Sequence, residues 1–169
     1  HISTNLPAMS DNTDINTLRR ILRQHKTLAV VGLSANWYRP SFFAAKYMQE
    51  HGYRVIPVNP SYAGQSIIGE KVYASLRDIP DKVDIVDCFR KSADIEPIVD
   101  EAIAIGAKVL WMQLGVMNNK AADKARKAGL EVVQDRCVKI EHGRLFGGLN
   151  WVGVNTKVIS AKRPTWLPY

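Results

Sequence analysis

The sequence predicts one α/β domain whose five-stranded, mainly parallel sheet is doubly wound, with helices on both faces. Short β-branched runs alternate with longer helical patterns, which is the signature of βαβ units. The first run, Thr27–Val31, is apolar throughout, as a strand buried on both faces must be, and it ends on Gly32. The 169 residues, 46% of them hydrophobic, suffice for one core and fall short of two ordinary domains.

Taken in order, residues 1–13 carry no periodicity and are read as a tag remnant or disordered arm, and the domain occupies 14–142. Residues 14–25 form an opening helix with Ile15, Leu18, Ile21 and Leu22 on one face and Asp14 as its cap. After the first strand, residues 41–50 form a helix stopped at His51 and Gly52. Residues 53–58 are the second strand, and Pro57 inside it requires that its missing N–H face away from a ladder partner. A long loop with a short helical turn fills 59–80. Strands at 83–88, 108–112 and 130–134 alternate with helices at 94–105 and 119–128, and a last helical turn spans 137–141. The stretch 143–169 reads as an irregular basic and aromatic tail, with Trp151, Trp166 and Tyr169 packing back on the domain.

Composition narrows the function. No apolar run approaches the roughly 18 residues of a membrane span. The two cysteines, Cys88 and Cys137, match no metal spacing and read as free thiols of a reducing cytoplasm. The net charge of +7 fits nucleic acid or a small polyanion, but the basic residues are scattered among acids and no nucleic-acid motif accompanies them.

Ligands of such sheets bind beyond the C-terminal strand ends, at the switch point beside the first strand. The loop there runs Gly32, Leu33, Ser34, Ala35, Asn36, Trp37, Tyr38, Arg39, Pro40, Ser41. Gly32 permits a sharp turn and close approach, Ser34 and Asn36 offer hydrogen bonds, Arg39 adds a forked cation, and Ser41 opens a helix whose free N–H groups face the crevice. A pyrophosphate suits that set. G-x-G-x-x-G is absent. The second strand ends Val58, Asn59, Pro60, without the acid that holds the ribose hydroxyls of NAD. Coenzyme A, whose ribose is phosphorylated, is favoured over NAD, and NADP would also fit; Asn59 and Pro60 have a plain turn reading too. Phe89 and Arg90 follow the third strand and can flank an adenine and reach a phosphate. Gln113, Leu114 and Gly115 follow the fourth, where Gln113 can bond a pantetheine amide. Trp111 belongs to sheet packing.

Together the runs 29–34, 39–41, 55–60, 83–90, 101–107, 111–116 and 135–137 make the chain resemble the CoA-binding protein family of YccU type, a relative of the CoA-binding domain of the succinyl-CoA ligase α subunit standing without its ligase partner. The resemblance spans roughly 15–142 and implies a Rossmann-like fold. It implies that Gly32 to Ser41 take the pyrophosphate, that Asn59, Pro60, Phe89 and Arg90 line the nucleotide region, and that Gln113 to Gly115 line the far side. A stand-alone CoA or acyl-CoA binder follows, a sensor or part of a larger complex, with a protein partner or homodimer left open. Catalysis lacks support. His25 and His51 sit at helix C-terminal ends; His142 is expected near the cleft but has no partner, and Ser34 and Ser41 lack a His–Asp pattern. The alternatives are an NADP-dependent oxidoreductase, which lacks a recognisable Tyr–Lys pair, and an acyl-CoA-linked redox protein using Cys137, whose thiol follows Arg136 at a helix start and could form a mixed disulfide with CoA.

Overall fold

A computed structural model describes residues 14–147. The expected arm, and Trp151, Trp166 and Tyr169 of the expected tail, lie outside the described residues. The element order is α1 (Ile15–Gln24), β1 (Thr27–Val31), α2 (Pro40–Glu50), β2 (Arg54–Val58), β3 (Ser66–Ile67), β4 (Glu70–Lys71), β5 (Ile85–Cys88), α3 (Ile95–Ala104), β6 (Val109–Met112), α4 (Asn119–Lys127), β7 (Glu131–Val133) and α5 (Val138–Phe146). The main sheet is parallel throughout, in the order β2-β1-β5-β6-β7.

Side chains alternate across the sheet, so each strand feeds two cores. Leu28 and Val30 of β1, Ile85, Val109, Trp111 and Val133 pack with α1, α2 and α5. Ala29, Val31, Val86, Leu110, Met112 and Val132 pack with α3 and α4 on the opposite face. The winding therefore reverses between β1 and β5, and that is where a crevice must open.

Asp14 caps α1 as expected, accepting from Thr17 N at 3.1 Å. Pro57 is tolerated because β2 is an edge strand. The outward-facing Pro57 carbonyl accepts from Tyr73 N at 3.0 Å, so no β1 partner goes without a donor. Trp111 is fully buried in the sheet and donates its indole N–H to Arg136 O at 2.8 Å.

Two expectations need correction. The loop 59–80 is more ordered than expected, with 3₁₀ turns at Pro60–Tyr62 and Leu76–Asp78 around the β3–β4 hairpin. The last helix does not end at 141. It runs to Phe146 and buries Leu145, so residues 143–146 are helix rather than irregular tail.

Candidate functional site

A cavity of about 460 Å³ opens at the C-terminal ends of β1, β5 and β6. Gly32, Ser34, Asn36, Arg39, Pro40 and Ser41 form one wall. Asn59 with Ser61 and Tyr62 form the second, and Phe89 and Arg90 with Gln113, Leu114 and Val116 the rest. A neighbouring cavity of about 300 Å³ lies on the α3 side, bounded by Val31, Val58, Pro60, Ala74 and Ile98 with Asp94 and Glu101, and Arg90 lines both. Five of the sequence-predicted residues stand apart from the larger cavity wall in different ways. Leu33 is core, Ala35 is exposed, and Val58 and Pro60 line the smaller cavity. Gly115 is exposed and does not line either cavity; its N–H donates to Asp135 Oδ1 at 2.7 Å, tying the two far loops together.

Gly32 has φ +90°, and a Cβ there would stand 2.3 Å from the Phe89 carbonyl oxygen. Only glycine lets β1 end this close to β5. Its N–H donates to Val58 O at 2.8 Å, which holds the turn against β2. The loop is then set by its serines. Ser34 N donates to Ser41 Oγ and Asn36 N to Ser34 Oγ, both at 3.0 Å. Each hydroxyl is thus an acceptor inside the loop and keeps its own O–H to offer a ligand.

The start of α2 is electrostatically unusual. Arg39 is its N-cap and makes no side-chain capping bond, and Pro40 holds the first helical position. Asp14 and Asn118 cap α1 and α4 with side-chain oxygens. At α2 a cation instead sits on the positive end of the helix dipole, a placement that favours an anion between them. Neither Arg39 nor Arg90 forms a salt bridge among the described residues; the Arg39 guanidinium lies 5.8 Å from the Tyr38 ring centroid.

Asn59 stands where NAD-binding proteins carry an acid, and its amide is tied at both ends. Nδ2 donates to Leu33 O at 3.0 Å and Oδ1 accepts from Ser61 N at 3.0 Å, so it staples the loop after β1 to the end of β2. Gln113, only 2% exposed, is likewise turned inward. It donates from Nε2 to Asp87 Oδ1 and accepts at Oε1 from Val138 N at 3.3 Å. Asp87 is buried in mid-sheet, and burial pushes its carboxyl up to about 7 despite the Gln113 bond.

His142 does not approach the cleft. It packs among Tyr47, His51, Tyr53 and Phe146, accepts or donates at Nδ1 with Tyr47 Oη at 3.0 Å, and is held down to about 4 by burial, with His51 and Lys26 adding to it. The sequence expectation fails because α5 continues past Gly143 and lies flat on α2, which points His142 at the helix interface. Cys137 stands at the N-terminal cap position of α5 without a side-chain capping bond, is buried, and lines neither of the two cavities. The neighbouring Arg136 guanidinium turns to Glu141 at 3.6 Å. Burial, and next the Asp87 charge, push the Cys88 thiol well above its usual range.

Ser61, Tyr62 and Val116 were not foreseen in the site. The signal for them was weak, since they lie three or four residues past the ends of β2 and β6, one or two beyond the runs Val58 to Pro60 and Gln113 to Gly115. Asp94 and Glu101 of the smaller cavity come from α3 and its lead-in turn, where a sequence shows only helix.

Among the described residues, no helix is long and apolar enough to cross a membrane. Comparison with known proteins gives a consistent picture. "Uncharacterized protein YneT" of Bacillus subtilis is 37% identical over 125 residues, covering 74% of this chain and 91% of that one. The acetate–CoA ligase [ADP-forming] II of Archaeoglobus fulgidus is 26% identical over 130 residues, 74% of this chain but 19% of the ligase. A solved structure of a hypothetical protein from Pyrococcus horikoshii superposes with a TM-score of 0.78 at 43% identity, covering 81% of this chain and 95% of that one. A family profile described as a CoA binding domain matches residues 26–143, and the chain belongs to that family.

Proposed function

We propose that the protein binds coenzyme A or acyl-CoA in this crevice as a stand-alone, non-catalytic module of the cytoplasm, a sensor or a component of a larger complex. The observation that carries the reading is the start of α2. A helix N-terminus without a side-chain cap, a cation on its positive end and a one-glycine turn before it converge on one cavity. That arrangement is costly alone and is compensated by a diphosphate. The smaller cavity suits the base. Val31, Val58 and Ile98 give apolar walls, and Asp94 and Glu101 can accept from an exocyclic amine. Pantetheine would run toward Leu114 and Val116. The serines read as phosphate donors rather than nucleophiles, because their oxygens accept from the loop's own backbone.

Thermal denaturation in the presence of CoA, NADP and NAD tests the reading. A ligand at a hundredfold its Kd stabilises by about 2.7 kcal/mol, which for a chain of this size raises Tm by about 5–10 °C. CoA should give that shift, smaller in high salt because phosphates carry much of the binding. An equal shift with NADP, or none with CoA, refutes it.

A further inference from the structure

We infer that the crevice takes up a proton together with its anionic ligand, and that the proton goes to the carboxyl of Asp87, which Gln113 connects to the crevice. The inference rests on the CoA reading above and adds a second, ionic ligand to that site.

Packing does not account for Asp87. It lies in β5 in register with Val30 of β1 and Trp111 of β6, on the sheet face that packs with α1, α2 and α5, and is only 1% exposed. Its hydrogen bond comes from the neutral amide of Gln113, and it forms no salt bridge among the described residues. The helices over this face supply no counter-charge. Leu18, Ile21 and Leu22 of α1 and Ser41, Ala44, Ala45 and Met48 of α2 are the residues those helices bury, and none is charged. On α5, Cys137 and Val138 stand at the start, Glu141 is paired with Arg136 and Arg144, and His142 is bonded to Tyr47 and packed on Tyr53. The Lys139 ammonium lies by the Phe43 and Tyr47 rings. Cys88, next in the strand, packs in the opposite core. A carboxylate in this place is buried without compensation, and asparagine would accept the Gln113 bond just as well. The hydrogen bond alone does not call for an acid.

Gln113 is the connection. It lines the crevice, donates from Nε2 to Asp87 and accepts at Oε1 from Val138 N at 3.3 Å, so its amide is held at both ends. Asp87 is thus one hydrogen bond away from the crevice wall. When an anion displaces water from the crevice, Asp87 loses nearby solvent and gains nearby negative charge, and both disfavour the carboxylate. A proton passes from solvent to a carboxylate oxygen as the ligand enters, and no other bond changes. Coupling is reciprocal: the affinity is greatest where Asp87 is already neutral and falls as pH rises through about 7, where burial sets the free protein's carboxyl.

The test is calorimetric titration of CoA into the unaltered protein and Asp87→Asn, at about pH 6 and about pH 8.5, and at about pH 7 in Hepes and in Tris, whose heats of ionisation differ. The ionisations of CoA itself are common to both proteins and cancel between them. At the middle pH the unaltered protein should take up a fraction of a proton more per CoA than Asp87→Asn. Between the outer values its affinity should fall about tenfold relative to the variant, which corresponds to one pKa unit. Infrared difference spectra of the unaltered protein carrying 13C-labelled aspartate read the same event without a variant, and decide the matter if Asp87→Asn does not fold. The protonated carboxyl signal should grow when CoA is added. Equal proton uptake and equal pH dependence in the two proteins, or no growth of that signal, overturns the inference while leaving the CoA reading standing. No binding of CoA by the unaltered protein at any of these pH values overturns both.

Discussion

Gly32→Ala should damage the protein in two separable ways, and the structure supplies the size of each. The first cost is conformational. At φ +90° an L-residue is strained by about 1–2 kcal/mol. The second is steric. The new Cβ would lie 2.3 Å from Phe89 O and 3.1 Å from Phe89 C, both backbone atoms that no rotamer change can move. Relief requires the Gly32 turn to move away from Phe89, which strains the bond that ties it to β2, Gly32 N to Val58 O, and the bond that ties β5 to β1, Phe89 N to Val31 O, each 2.8 Å. Weakening that pair costs about 1 kcal/mol per bond. The expected loss is therefore about 3–4 kcal/mol. Gly115→Ala is the control, because Gly115 has φ +87° but nothing within 4 Å of an added Cβ, and so carries the strain alone. Urea denaturation should place Gly32→Ala about 2 kcal/mol below Gly115→Ala. A CoA titration should show at least a tenfold loss in Gly32→Ala, since the phosphate loop hangs from that turn. Equal stability of the two variants would show that the strand ends yield freely, and wild-type CoA affinity in Gly32→Ala would detach the turn from the site.

Two buried groups should give opposing pH dependences. The Asp87 carboxyl is raised from 3.8 to about 7, so its stabilising contribution is complete below its unfolded value and is lost as pH rises to about 7, by about 4 kcal/mol at most. His142 is lowered from 6.5 to about 4, so its contribution is complete above 6.5 and is lost as pH falls toward 4. Between these limits the slopes oppose. Denaturation at a series of pH values should show stability rising with pH in Asp87→Asn and falling in His142→Gln; unchanged profiles in both would exclude the two groups as its source. Glu141→Ala should cost about 3 kcal/mol, because it strands the Arg144 guanidinium that Glu141 pairs with in a largely buried position, and Glu141→Ala with Arg144→Met should recover much of it. A single variant as stable as the wild type by the same assay would show that water reaches Arg144. Arg39→Ser should make the free protein more stable by about 1 kcal/mol, by giving α2 a proper cap, while weakening CoA several-fold. A loss of both, measured by denaturation and titration, would mean that Arg39 serves the fold.

The sheet was legible because its strands are covered on both faces. Continuous apolar runs such as Thr27–Val31 have no other comfortable place, and each is closed by a turn residue. The place of the loop from Gly32 to Ser41 was legible too, since it follows the first strand, and Gly32, Ser34, Asn36, Arg39, Pro40 and Ser41 do line the cavity. What escaped was tertiary. Gly143 reads as a stop, and in a lone helix it would cost about 1 kcal/mol. Here an added Cβ would sit 3.4 Å from Tyr47 Oη, and α5 runs on because Leu145 is buried against its neighbours. The β3–β4 hairpin escaped because two-residue strands carry no period. Asp87 sits in a run that otherwise reads as plain buried strand, and only the Gln113 side chain from the next strand explains its place. The smaller cavity needs α3 docked beside β1 and β2 before it exists at all.

The departures from good local structure are not spread evenly. Helices α1 and α4 have proper caps, and the core faces are apolar and closed. Ile68 at φ 50° and the buried, unpartnered Nε of Arg144 lie elsewhere, but a group of exceptions gathers around the crevice. Gly32 has a left-handed turn at a crowded strand end, α2 has a cation at its N-cap, Arg90 is half-buried without a carboxylate, and Asp87 is a buried acid beneath Gln113 in the cavity floor. A fold under selection for stability alone would have replaced each of them, since a serine at 39 or an asparagine at 87 is a single substitution away. On the proposed reading, this group is what a binding site for a polyanion costs the free protein. On the proposed reading, the two arginines and the helix end are destabilising for the same reason that they are useful, because the missing negative charge belongs to the ligand. Binding and folding are then coupled through the same few residues. Any change that relieves the free state at this end of the sheet should loosen the grip on the phosphates.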